Sequence, residues 1–423
     1  MQQAQKYQDY KDSSIDWIGK IPKSWEIKKI KNFAQYEIGG TPPREKQDYF
    51  EGDNLWVSIA DLNGKNVILD TYEKLTKEGI DDSNCKLIPK GSLLFSFKLS
   101  VGLLAFAGKD LYTNEAIASF LQNNKTNLNY LYYSLQNGFE NNARENIYGA
   151  KLFNQRSIND SKVAFPPLVE QQKIAEFLDK KTAELDKVLQ NKNKQIELLK
   201  EYEQILINEA VTKGLDKKAE LKESGIDWIG KIPKHWKMRK LKKIANLGDT
   251  KEDSLIETKN YLALENIESN TGRLIHATED ILVESSVNLF NKGDVLFCKL
   301  RPYLRKFYYC EFDGYCTSEL LVFKPYKSNM RFFYYIIQSD YFMSRIDGST
   351  YGAKMPRASP EFVMNELVTF PPIAEQQQIA SYLDEKTSKI RRSIDILDKE
   401  VEMLKEHKTI LINEAVTGKI KVF

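Results

Sequence analysis

Residues 15–23 read IDWIGKIPK, and residues 226–234 read IDWIGKIPK again, displaced by 211 positions. A second matched pair lies downstream: FPPLVEQQKIAEFLDKKT from Phe165 and FPPIAEQQQIASYLDEKT from Phe370, displaced by 205. Both segments run on to the same octapeptide, ILINEAVT, at residues 205–212 and 410–417. Chance does not produce such matches, so the chain is two tandem modules, and each copy has to be read as one structural unit. Between the matched ends the copies diverge, with a faint correspondence. Gly91-Ser-Leu-Leu-Phe95 parallels Gly293-Asp-Val-Leu-Phe297, and Thr113-Asn-Glu115 parallels Thr317-Ser-Glu319. Tyr148-Gly-Ala-Lys151 recurs as Tyr351-Gly-Ala-Lys354. Free drift would not spare the ends and spend itself on the interiors. The pattern is a shared scaffold carrying two binding domains with different targets.

The matched ends build helices. The residue before proline avoids the helical region, and proline is tolerated in the first helical turn, so each Phe-Pro-Pro marks extended chain entering a helix. No proline or glycine then intervenes until Gly214 in the first copy and Gly418 in the second, and glycine just past the end is a normal stop. Each helix is thus some forty-odd residues, roughly 60–70 Å at 1.5 Å per residue. Apolar residues recur at alternating spacings of three and four: Leu185, Leu189, Ile196, Leu199 and Leu206 in the first helix, Ile390, Ile394, Leu397, Val401, Leu404 and Leu411 in the second. That is a coiled-coil seam, too narrow for a globular core, and the nearest partner for each helix is the other copy. Lys192, Glu203 and Lys408 interrupt the seam; they are expected to snorkel to water, the alternative being that they set register. A pseudo-two-fold relation between modules would make the helices antiparallel, matching the approximate two-fold symmetry of duplex DNA.

The 423 residues suit two domains plus extra elements. A net charge of +3 confines any basic surface to local patches. The four cysteines form no C-x-x-C pair and the three histidines are scattered, which argues against a zinc site and a disulfide scaffold and suits a reduced cytoplasm. No apolar run is long enough to span a membrane.

Residues near 24–160 and 235–365 read as mixed α/β with more strand than helix, with aromatic helices at Leu128–Gln136 and Met330–Gln338. In the second interior Lys299, Arg301, Tyr303, Arg305 and Lys306 lie in an acid-free KLRPYLRK, where arginine reaches guanine edges or phosphates. In the first, Gly39-Gly-Thr-Pro-Pro-Arg44 is a loop that lets Thr41 and Arg44 reach DNA, and Lys98 follows a buried strand. Lys151 and Lys354 follow glycine turns. Trp17, Trp25, Trp228 and Trp236, in and beside the repeated nonapeptide, form a structural clasp. Being common to both copies, that clasp cannot tell two targets apart.

Phosphate-loop, dinucleotide-loop, nuclease-carboxylate and amino-methyltransferase motifs are missing; each Gly-Lys pair is followed by Ile, Asn or Asp. The chain is expected to do no chemistry alone and to bind no cofactor or metal. The combination of IDWIGKIPKxW, FPPxxEQQxIAxxLD and ILINEAVT over essentially the whole chain resembles the specificity subunit of type I restriction–modification systems. Gly39–Arg44 with Leu55-Trp-Val-Ser58, and Gly293–Lys306 with Cys316-Thr-Ser-Glu319, look like two target-recognition subtypes. The resemblance implies an α/β (α+β) fold with two recognition domains (1–164, 216–369) separated by two spacer helices (165–215, 370–423) in an antiparallel coiled coil. It further implies a cytoplasmic, non-catalytic chain on double-stranded DNA. Two modification subunits would carry S-adenosylmethionine, two restriction subunits would use ATP and magnesium, and the coiled coil would set the spacer between half-sites. The competing readings are the recognition part of a self-sufficient restriction–methylation enzyme and a duplicated scaffold that binds no DNA.

Overall fold

A computed structural model describes residues 6–423 except 99, 137–143, 146–150, 249–250, 253–255, 276–278, 284–285 and 353. Two helices dominate, Leu168–Lys213 with 46 residues and Ile373–Val416 with 44. Each begins directly after Pro-Pro, with Glu170 or Glu375 in the positive first turn of the helix. Each is followed by a glycine in the left-handed region, Gly214 at φ +74° and Gly418 at φ +72°. A Cβ on Gly418 would stand 2.4 Å from Pro22, so this stop needs glycine for space as well as for conformation.

The chain divides into two compact units, Met1–Asn191 with Glu400–Phe423, and Lys192–Lys399. The division falls in the middle of both long helices rather than at their ends, so each unit owns half of each helix. In the first unit Ile174, Ala175 and Leu178 share a core with Ile412, Ala415 and Val416, while further up the first helix Asp186 meets Lys408. Rising numbers on one helix face falling numbers on the other, so they run antiparallel. The second unit does the same: Ile207, Ala210 and Val211 share a core with Ile379, Ala380 and Leu383, and Glu203 meets Arg391.

Along the seam, Ile196, Ile390, Ile394 and Val401 are buried, and Leu185, Leu189, Leu199, Leu206, Leu397, Leu404 and Leu411 are half-buried. The seam charges do not all snorkel as expected. Glu203 is only 8% exposed and accepts from Arg391 Nε at 2.7 Å. The Lys408 ammonium lies 2.6 Å from Asp186. Glu203 is thus held by an opposite charge rather than by water, while the Lys408 pair lies at the surface.

Each unit repeats one scaffold. Four antiparallel strands in the order Tyr36–Ile38, Ile117–Phe120, Leu93–Ser96, Leu104–Ala107 are matched by Ala245–Leu247, Leu320–Pro325, Val295–Cys298, Phe307–Tyr309. Added strands differ: a separate three-stranded sheet in the first unit, a five-stranded one in the second. The aromatic helices form at the expected residues, Leu128–Gln136 and Met330–Gln338, with Tyr130, Tyr133, Tyr334 and Tyr335 buried.

The matched motifs prove to be the joinery between those aromatic helices and the long ones. Gln171 is fully buried; its carbonyl accepts from Thr126 and from the Asn127 amide, and its amide donates to Pro166 O. Gln376 does the same with Ser328, Asn329 and Pro371. One glutamine thus holds the asparagine that caps the aromatic helix, whose own side chain accepts from the first turn: Asn127 from Tyr130 N, Asn329 from Arg331 N and Phe332 N. The Asp and Thr of Leu-Asp-x-Lys-Thr hold a tyrosine hydroxyl: Tyr133 by Asp179 and Thr182, Tyr335 by Asp384 and Thr387.

The clasp is structural as expected, though unequally. Trp25 and Trp236 are fully buried, whereas Trp228 is 48% exposed beneath Arg345. Trp25 Nε1 donates to Glu170 at 2.9 Å. In the second unit Glu375 instead pairs with His235 at 2.8 Å, and the Trp236 indole N–H has no acceptor among the described residues.

Candidate nucleic-acid interface

In the first unit, Gly39–Arg44 leaves the strand Tyr36–Ile38 and presses against its neighbours. A Cβ on Gly39 would lie 1.7 Å from Thr113 O, so only glycine permits the approach. Gly40 N donates to Thr113 O at 2.9 Å, and Gly40 O accepts from Trp56 Nε1 at 3.0 Å. The pinned loop delivers the Thr41 hydroxyl to the Glu115 carboxylate. The Arg44 guanidinium stacks on Phe50 at 4.4 Å and grips Glu73 at 2.6 and 3.1 Å. Lys98 is exposed at the end of the buried strand Leu93–Ser96. The Thr41 hydrogen bond, aided by the fields of Lys98 and Arg44, holds the Glu115 carboxyl below its ordinary range. The structure therefore gathers Thr41, Arg44 and Lys98 around one glutamate. Lys151 lies in the short strand Lys151–Leu152, paired to Glu145; its side chain and Tyr148, Gly149 and Ala150 lie outside the described residues.

In the second unit the chain leaves Val295–Cys298, turns through Lys299–Lys306 and returns as Phe307–Tyr309. Arg301 and Arg305 both sit in the left-handed region, at φ +48° and +50°, flanking a 3-10 turn at Pro302–Leu304. Non-glycine residues there carry strain of about 1–2 kcal/mol each, so the turn must be held. Arg301 N donates to Pro356 O at 2.7 Å, and Ala358 N to Lys299 O at 2.9 Å. Arg357, between those anchors, clamps Glu319 at 3.0 Å and exchanges backbone hydrogen bonds with Tyr351. Lys299, Arg301 and Lys354 thereby belong to one loop pair, with Tyr303 and Tyr351 exposed at 51% and 62%.

Two expected contacts move inward. Arg305 donates to Asp340 at 2.6 Å, Gln204 at 2.9 Å and Gln338 O at 2.5 Å, and its side chain is 20% exposed. Lys306 donates to Leu264 O at 2.6 Å. Both side chains are thus drawn onto the protein and brace the turn, with Arg305 Nε buried and without an acceptor among the described residues. Sequence reading also passed over the organisers. Glu115 and Glu319 occupy the same place in Thr-x-Glu, and their recurrence in both copies was the available signal. Tyr351 carried a like signal in the recurring Tyr-Gly-Ala-Lys, whereas Arg357 had none, because backbone pairing with Tyr351 alone brings it to the turn.

Both sites offer cations, hydroxyls and a carboxylate on loops, suited to phosphates and base edges. Among the described residues no group of three or more His, Cys, Asp or Glu could hold a metal ion, and no helix is long and apolar enough to cross a membrane.

Residues 22–198 and 233–402 match the model of the type I restriction modification DNA specificity domain. Curated relatives include the type I restriction enzyme MjaIX specificity subunit of Methanocaldococcus jannaschii, 24% identical and covering 96% of this chain and 95% of its own length. The EcoDI specificity subunit of Escherichia coli is 24% identical over 60% of this chain and 62% of its own. Among solved structures, a chain from a study of complex assembly and conformational transition of the type I R-M system matches with TM-score 0.69 at 13% identity, covering 94% of this chain and 98% of that one. The HsdS subunit from Thermoanaerobacter tengcongensis matches with TM-score 0.50 at 15% identity, covering 95% and 98%.

Proposed function

The chain belongs to the type I restriction–modification DNA specificity family, and from that premise we propose that its two domains read the two unlike halves of one bipartite DNA target. The observation that carries the reading is the pair of loop sites: one repeated scaffold carries differently furnished loops in its two copies. Thr41, Arg44 and Lys98 lie about Glu115, whereas Lys299, Arg301, Tyr303 and Lys354 sit on a pair of loops pinned by Arg357 and Glu319. A common frame with unlike readers is what an asymmetric target requires. The coiled coil then sets the spacer; a heptad adds about 10.5 Å of helix, near three base pairs at about 3.4 Å each.

The chain itself is the non-catalytic reader. In the proposed assembly two modification subunits supply S-adenosylmethionine and methylate adenine, and two restriction subunits supply ATP- and magnesium-dependent cleavage. The assembly works in the cytoplasm, where its DNA lies.

Exchanging residues 24–160 for those of another subunit is expected to change one half-site and leave the other half-site and the spacer intact. Methylation mapping of cells carrying the exchange with the modification partner reads this directly. A palindromic or continuous methylated motif would sink the bipartite reading, and no methylation at all would favour a scaffold. Within the second site, Arg301→Glu with Lys354→Glu is expected to weaken DNA binding about tenfold or more and to flatten its salt dependence. Unchanged affinity at physiological salt removes that loop pair from the interface.

A further inference from the structure

The long helices carry charges that discriminate between possible helix partners. In the first unit Asp186 receives the Lys408 ammonium at 2.6 Å; in the second, Glu203 receives the Arg391 guanidinium at 2.7 Å. Both acids stand on the first long helix, and both bases stand on the second. The 205-residue displacement relates the four positions to one another: Glu203 corresponds to Lys408, and Asp186 to Arg391. Consider the first helix paired in the same register with its own duplicate from a second copy of the chain. Asp186 would then face Glu203. Two second helices would likewise set Lys408 against Arg391.

The apolar part of the interface cannot make this distinction. Ile412, Ala415 and Val416 pack in the core around Trp25, and the identical Ile207, Ala210 and Val211 pack around Trp236. The two ILINEAVT ends present the same apolar side chains to their docks, so burial of these ends discriminates little between like and unlike pairing.

We propose that Asp186, Glu203, Arg391 and Lys408 form a pairing code that fits each long helix to the unlike helix and rejects its duplicate in another copy of the chain. Attraction in the wanted pair and like-charge repulsion in the unwanted one act together. Glu203 carries the larger share, because a buried carboxylate facing another acid has neither water nor a counter-charge. The Asp186 pair, with Asp186 52% exposed, adds a smaller, salt-screened share. This inference concerns helix pairing alone and stands whether or not the loops bind DNA.

The test starts from the full chain with a protease site in the exposed turn at 215–218, cut after folding so that the two fragments remain associated. The cut protein is unfolded, refolded and weighed by native mass spectrometry. The unaltered sequence is expected to favour the unlike pair about tenfold or more over random pairing. Exchanging one pair, Asp186→Lys with Lys408→Asp, preserves both ion pairs of the unlike complex while making both like complexes complementary. This variant is expected to fall toward roughly 1:2:1, the ratio of random pairing. Exclusive unlike pairing in the exchanged variant would overturn the proposal, as would free like pairing in the original. On the uncut chain, Asp186→Lys is expected to lower the melting temperature and Lys408→Asp, added to it, to restore it. Failure of the second change to restore it would equally overturn the code, whether or not the cut fragments refold.

Discussion

Replacing Trp25 with alanine is expected to destabilise the first unit by about 3–5 kcal/mol, the usual range for emptying a buried tryptophan site. Trp25 is fully buried among Ile18, Ile21, Ile174 and Val416, with Tyr7 against it at 5.7 Å. It therefore joins the nonapeptide, the start of one long helix and the end of the other, and its loss opens three surfaces at once. In calorimetry of the whole chain this corresponds to a fall on the order of 10 °C in the transition of the first unit. A shift of only a degree or two would show that the clasp does not hold that unit. The tryptophans also differ in a way that phenylalanine exposes. Trp25→Phe removes a hydrogen bond to Glu170, whereas Trp236→Phe removes an N–H that has no acceptor among the described residues. Leaving a buried polar group unmet costs about 1–3 kcal/mol, so Trp236→Phe is expected to be the milder change.

Arg391→Ala is expected to cost about 3 kcal/mol or more, because it strands Glu203 beside the core of the second unit. Arg391→Met combined with Glu203→Gln removes both charges and is expected to recover most of the loss, since a pair replaced by neutral groups of similar volume leaves no unpaired ion. Denaturant unfolding of the full chain measures both. If the single change costs under about 1 kcal/mol, or the combined change recovers nothing, Glu203 is solvated and the pairing argument weakens with it.

These two results bear on different layers of legibility. The long helices could be read almost to the residue, because Pro-Pro starts, glycine stops and a period of 3.5 are local physics. The aromatic helices were legible for the same reason. The role of Gln171, Asp179 and Thr182 was not. Their recurrence marked them as frame, yet nothing local says that a glutamine on one helix holds the capping asparagine of another some 45 residues away in sequence.

The basic tract shows the limit most clearly. Composition treats Lys299, Arg301, Arg305 and Lys306 alike, since an acid-free run looks equally solvated throughout. Both arginines share left-handed backbone, yet their fates differ: the Arg305 guanidinium reaches Asp340 and Gln204, whereas Arg301 is tied to Pro356 O through its backbone N–H. Side-chain direction depends on backbone dihedrals and on partners remote in sequence, and a list of residues contains neither.

The sequence by itself determined that the chain is a duplicated reader on a helical frame, because exact repeats and helical periodicity survive without any knowledge of contacts. Only the tertiary structure decided which charges hold the frame and which face outward. Glu203 and Lys408 looked like solvated interruptions of a seam until Arg391 and Asp186 were found opposite them. A charge is structural or functional according to what lies within about 4 Å of it, and folding, not the order of residues, sets that neighbourhood.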